Sequence, residues 1–106
     1  MIEITYHRRL NSLEMHGHAN VGKKGRDIVC AAASMLAETL ILNAEWLKEQ
    51  GALSHLEQSA EDGSVAVWCK PKGGMDSIVT LVMDTICMGF AALAEKYPKK
   101  VQYTAI

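Results

Sequence analysis

The chain has 106 residues and a mass of 11.6 kDa, with 49% hydrophobic and 22% charged residues. That composition fits one globular domain over residues 1–106 and excludes a disordered chain. At this length a domain removes roughly 60 to 70% of its unfolded surface from water, so the core needs neither disulfide nor metal staples. Eleven Lys and Arg against twelve Asp and Glu leave a net charge of -1, which argues against a polyanion binder, and no direct nucleic-acid binding is expected.

Three dispersed cysteines fit a reducing compartment better than a disulfide framework. The opening residues lack the basic-then-apolar order of a signal peptide, so a cytoplasmic location is expected. Ile78 to Leu93 is the most apolar stretch, but Thr80, Asp84, Thr85 and Gly89 interrupt it. It falls short of the ~18 nearly unbroken apolar residues of a membrane span and reads as a buried helix.

In chain order, Ile2, Ile4 and Tyr6 alternate with Glu3, Thr5 and His7, a period of two that predicts a half-buried strand ending in a turn at Asn11-Ser12. A second strand then places Leu13 and Met15 on the core side, and Glu14, His16 and His18 on the other. Asn20 to Arg26, with two glycines and three cations, reads as a loop. Asp27 is a suitable N-cap for a helix from Ile28 to roughly Gln50, stopped by Gly51. Leu53 to Ser59 and Val65 to Lys70 form a second hairpin around the turn Glu61-Asp62-Gly63-Ser64. A second helix runs from Met75 or Asp76 to about Lys96, stopped by Pro98, and Val101, Tyr103 and Ala105 mark a last strand. The order β-β-α-β-β-α-β predicts an α+β domain, a mostly antiparallel sheet with two long helices packed on one face.

The chemistry concentrates in His16-Gly17-His18-Ala19, the following loop and Asp27-Ile28-Val29-Cys30-Ala31-Ala32-Ala33-Ser34. With Asp27 as cap, Cys30 lies in the first helical turn, where unpaired N–H groups and the helix dipole favour an anion, a setting for a thiolate. The loop is short, so the end of the second strand and the start of the helix are neighbours, and His18 can approach Cys30. A thiol and an imidazole within hydrogen-bond reach are the minimum machinery of covalent acyl transfer, with first-turn N–H groups available to an oxyanion. Asp27 has two readings, as a helix cap or as a partner of His18. Ser34, one turn past Cys30, either bonds near the sulfur or back-bonds to the helix.

Gly17-His18-Ala19, Gly25 and Asp27-Ile28-Val29-Cys30-Ala31-Ala32 with Ser34, together with the ending Ala94-Glu95-Lys96-Tyr97-Pro98, resemble the signature of the ribosomal-processing cysteine protease family Prp. The resemblance implies a small homodimeric α+β endopeptidase that needs no metal or other cofactor. It implies removal of a short N-terminal extension from a large-subunit ribosomal protein precursor. Its phage-type members process virion structural proteins instead. By that likeness Cys30 matches the nucleophile and His18 the general base and acid, with Asp27 and Ser34 as accompanying polar residues. Gly22, Lys23, Lys24 and Gly25 match a substrate-access loop.

Rival readings stand beside this one. A cysteine in an Ala-rich first turn is by itself more often a small core residue, and a non-enzymatic ribosome-associated binding module would need no reactive thiol. His16, His18 and Cys30 offer three ligands to zinc, but no fourth is in position. Gly22-Lys23-Lys24-Gly25 lacks the spacing of a phosphate loop. Cys69, Cys87 and the methionines at 35, 75, 83 and 88 read as core. The second helix is apolar around much of its circumference, which points to burial by the first helix or by a second protomer.

Overall fold

A computed structural model describes residues 1–18 and 27–106. The elements are β1 (Ile2–His7), a 3-10 turn (Arg8–Leu10), β2 (Ser12–His16), α1 (Ile28–Glu49), β3 (Leu53–Glu61), β4 (Ser64–Pro71), α2 (Asp76–Lys96) and β5 (Val101–Ala105). This is the predicted α+β order. The five strands form one sheet in the order β3-β4-β2-β1-β5. All neighbours are antiparallel except β1 and β5, which run parallel because α2 and the chain after it return to the same end of the sheet.

Strand alternation decides which face meets the helices. Ile2, Ile4, Tyr6, Leu13, Met15, Val65, Val67, Cys69 and Val101 are buried on one face, against Val29, Ala33, Ala37, Leu40, Ala44 and Leu47 of α1 and Val79, Met83, Cys87, Phe90 and Leu93 of α2. Phe90 is wholly buried, and its truncation to Ala is expected to cost about 3–5 kcal/mol through lost transfer energy and the cavity left behind. The two helices approach closely at Gly89, where an added Cβ would stand 2.6 Å from Leu36 Cδ2.

The ends of α1 follow local chemistry. Asp27 is extended (φ -77°, ψ 102°), and its Oδ1 accepts hydrogen bonds from the Val29 and Cys30 amides, both at 3.0 Å. Gly51, at φ 77°, takes the left-handed conformation that lets its N–H and that of Ala52 return to the Lys48 and Leu47 carbonyls. The β1–β2 link tightens at Asn11, a buried residue at φ 50° whose Oδ1 accepts from Thr80 Oγ1 at 3.2 Å. Nearby, the buried Tyr6 hydroxyl donates to Asp84 Oδ1 at 2.8 Å, and the exposed Arg8 guanidinium donates to both Asp84 oxygens at 2.9–3.1 Å.

Three expectations change. The β3–β4 turn is tighter than the predicted Glu61 to Ser64, because those two residues pair in the sheet and leave Asp62-Gly63, with Gly63 at φ 78°, as a two-residue connection. Of the methionines read as core, only Met83 is buried, while Met35, Met75 and Met88 are exposed. The second helix is buried along one side only. In a two-layer domain the outer side of each helix has no layer above it, so Ile28, Met35, Leu42 and Trp46 of α1 and Ile78, Leu81 and Met88 of α2 remain exposed. Both helices are long and apolar enough to cross a membrane by length and composition, and both pack their buried sides on the sheet.

Candidate active site

The site forms where the end of β2, the start of α1 and the β3–β4 turn meet. β2 stops at His16, and Gly17 takes φ 100°. That left-handed step breaks the strand alternation, and a Cβ at Gly17 would run into the Met1 carbonyl, so glycine is required on both counts. The expected sharing of one strand face by His16 and His18 is therefore overturned. His16 stays in the strand and its Nδ1 lies 3.2 Å from Ser64 Oγ, whereas His18 lines a cleft against the core face of the sheet. Its backbone is fastened there by the Met1 nitrogen, which donates to the His18 carbonyl at 2.7 Å, and by the Gly17 N–H, which donates to the Gly63 carbonyl at 2.8 Å.

The cleft has a volume of about 560 Å³, with Ile2, Met15 and Val65 as its apolar floor, and Asp27, Cys30, Ala31, Ala33 and Ser34 of the start of α1 on one side. Glu61, Asp62, Gly63 and Ser64 form the other wall. His18 and Cys30 thus border one cavity, and Cys30 is half-buried where α1 begins. Ser34 is exposed on the same rim. The residues expected to form the access loop, Gly22, Lys23, Lys24 and Gly25, lie outside the described residues.

Asp27 acts as the helix cap through Oδ1. This alters one expectation about the first turn. The Val29 and Cys30 amides donate to Asp27 Oδ1, and the Ala31 amide donates to the Asp27 carbonyl at 3.0 Å, so these three donors are engaged within the cap. A good cap necessarily satisfies the groups that an uncapped helix would offer to an anion. The helix dipole still favours negative charge at this end.

The described lining carries three carboxylates, Asp27, Glu61 and Asp62, and no Lys or Arg. Asp62 Oδ1 lies 3.9 Å from His18 Nε2, and both side chains are largely in solvent. Gly63 packs directly beneath the same nitrogen, since a Cβ there would stand 2.8 Å from Nε2. Sequence reading passed over these two residues, because Asp-Gly signals only a hairpin turn and nothing local places that turn beside His18. Among the described residues, no three His, Cys, Asp or Glu side chains gather closely enough to hold a metal ion.

The thiols and phenols with strongly shifted acidity lie in the core. Burial pushes the Cys69 thiol up to about 11 and the Cys87 thiol up to about 12. Burial also raises Tyr103, to about 12, and raises Tyr6, whose hydroxyl faces the Asp84 carboxylate. Cys69 and Cys87 are packing residues, leaving Cys30 as the cysteine of the cleft. A thiol, an imidazole and a helix N-terminus around one cavity supply the parts needed for covalent acyl transfer.

A family model described as cysteine protease Prp matches residues 1–102. A comparison with curated proteins finds no match. Among solved structures, the chain is similar to SMU.848 from Streptococcus mutans, with 30% identity and a TM-score of 0.71 over 100% of this chain and 97% of that one. It is also similar in fold to the essential ribosomal processing protease Prp from S. aureus. The complex of that protease with a covalently linked product peptide gives 20% identity and a TM-score of 0.67. Its complex with a substrate peptide gives 17% and 0.61, and in both cases 99% of this chain and 97% of the other are covered. The family match spans both sides of the cleft, and the fold agreement runs the length of the chain: the protein belongs to the cysteine protease Prp family.

Proposed function

We propose that the chain is a thiol endopeptidase that removes the short N-terminal extension of a large-subunit ribosomal protein precursor, with Cys30 as nucleophile and His18 as general base and acid. The observation that carries this reading is the shared cleft of His18 and Cys30, reached only because Gly17 turns His18 off the strand. The Cys30 sulfur attacks the scissile carbonyl carbon while His18 takes the thiol proton. His18 then returns that proton to the leaving amine as the C–N bond breaks, giving a thioester. Water, losing its proton to His18, hydrolyses the thioester and restores the thiol. Negative charge on the attacked carbonyl oxygen develops at the start of α1, where the helix dipole favours it. Asp27 keeps the first turn in place, and Ser34 borders the same rim. Peptide complexes of the S. aureus protease support a protein substrate for this cleft.

The same reading places the protein in the cytoplasm, where the precursor is made, and as a homodimer. The exposed apolar residues on α1 and α2 support the second protomer, because Ile78, Leu81 and Met88 follow a three- and seven-residue spacing along one stripe. A peptide spanning the precursor's extension, incubated with the full chain, is expected to yield one cut, with Cys30→Ser and His18→Ala abolishing it. Cleavage that survives either substitution would remove that residue from the mechanism. Cleavage of a virion precursor but not of the ribosomal one would reassign the substrate.

A further inference from the structure

We infer that the β3–β4 turn seats the active imidazole, with Asp62 as a positioning residue that holds His18 through Nε2 and leaves Nδ1 to exchange the proton with Cys30. This rests on the reading of His18 as general base.

Three observations converge on the turn. Asp62 Oδ1 stands 3.9 Å from Nε2, about 1 Å beyond hydrogen-bond distance, and catalytic hydrogen bonds are commonly long before substrate binds. Gly63 lies against the same edge of the ring, and an added Cβ would be 2.8 Å from Nε2 and 3.5 Å from both Cδ2 and Cε1. Gly63 also sits at φ 78°, so both the backbone and the ring above it demand glycine. The turn is tied to the strand end that carries His18 by the Gly17 to Gly63 hydrogen bond at 2.8 Å and the Ser64 to His16 contact at 3.2 Å. Two hydrogen bonds therefore join the turn to the strand end from which the ring projects.

The two nitrogens of an imidazole lie on different edges, so a partner at one leaves the other as the transfer atom. With Nε2–H directed at Asp62, Nδ1 accepts the Cys30 thiol proton. The resulting cation then faces the Asp62 carboxylate, the relation of base and orienting group found in triads. Asp27 Oδ1 holds the helix cap on the facing side of the cleft. The pair is open to solvent, so its contribution is modest.

The test uses the full chain with Asp62→Ala, Asp62→Glu and Gly63→Ala. Asp62→Ala is expected to lower kcat about two- to fivefold, the size an exposed pair supports, with KM and melting temperature unchanged and part of the loss restored in Asp62→Glu. Gly63→Ala is expected to lose more, by displacing the ring. Nuclear Overhauser contacts between the His18 ring protons and the Gly63 α protons should be present in the wild type and weakened in Asp62→Ala. An unchanged kcat in Asp62→Ala, a loss carried wholly by KM, or absence of those contacts in the wild type overturns the proposal. If the wild type shows the contacts but cleaves no precursor, the protease reading fails while the seating of His18 stands.

Discussion

Iodoacetamide applied to the native protein near pH ~8 should modify Cys30 and neither of the other two cysteines. The magnitude follows from burial. With its thiol pushed up to about 11, Cys69 is a thiolate only about one part in a thousand at that pH, and Cys87, at about 12, about one part in ten thousand. Both are also shielded from the reagent, with exposures of 0% and 2%. Their other route is through opening of the fold, and for a domain stable by ~5 kcal/mol or more the open form is populated at about two parts in ten thousand or less. By either route they should lag an accessible thiol by at least about a hundredfold. Intact-mass measurement over time should show one adduct in native buffer, none in Cys30→Ser, and three after denaturation, matching the three cysteines. A second native adduct forming within tenfold of the first rate would refute the assignment of Cys69 and Cys87 to the sealed core.

Asp84→Ala should destabilise the protein by about 1–3 kcal/mol in urea titrations, because it strands the buried Tyr6 hydroxyl without its acceptor. Arg8→Ala should cost much less, since that guanidinium is in solvent, and equal costs would contradict this division. The Arg8 guanidinium, ahead of the Tyr6 hydroxyl, holds the Asp84 carboxyl below the usual carboxylate range. The stability it contributes is present above about pH 4 and is lost as pH falls through the depressed folded value, so acid unfolding should be less steep in Asp84→Asn. For the outer helix stripe, Leu81→Glu with Met88→Glu should convert a dimer to a folded monomer in sedimentation, and a wild type that sediments as a monomer at all concentrations would end that proposal.

What was legible in the sequence was local chemistry. The alternation of Ile2, Ile4 and Tyr6, the cap at Asp27 and the stop at Gly51 each report on residues a few positions away, and each stands in the structure as expected. The placement of His18 was not legible by period, because one left-handed glycine, Gly17, cancels the alternation that carries it to the face of His16. Met35 and Met88 carry the right spacing for a helix face, yet spacing cannot say whether another layer covers that face. Asp62 and Gly63 approach His18 only through the pairing of β2 with β4, a long-range register that no short motif encodes. The engagement of the Val29 and Cys30 amides follows from the same Asp27 that marks the helix start, and was missed because capping and anion binding compete for the same donors.

His18 and Cys30 reach the cleft from different parts of the fold. One is moored by contacts to Met1 and Gly63, the other by the first turn of a helix whose far side is embedded in the core. The two side chains are therefore held by separate parts of the scaffold, so a substitution that loosens one mooring can be designed without touching the other.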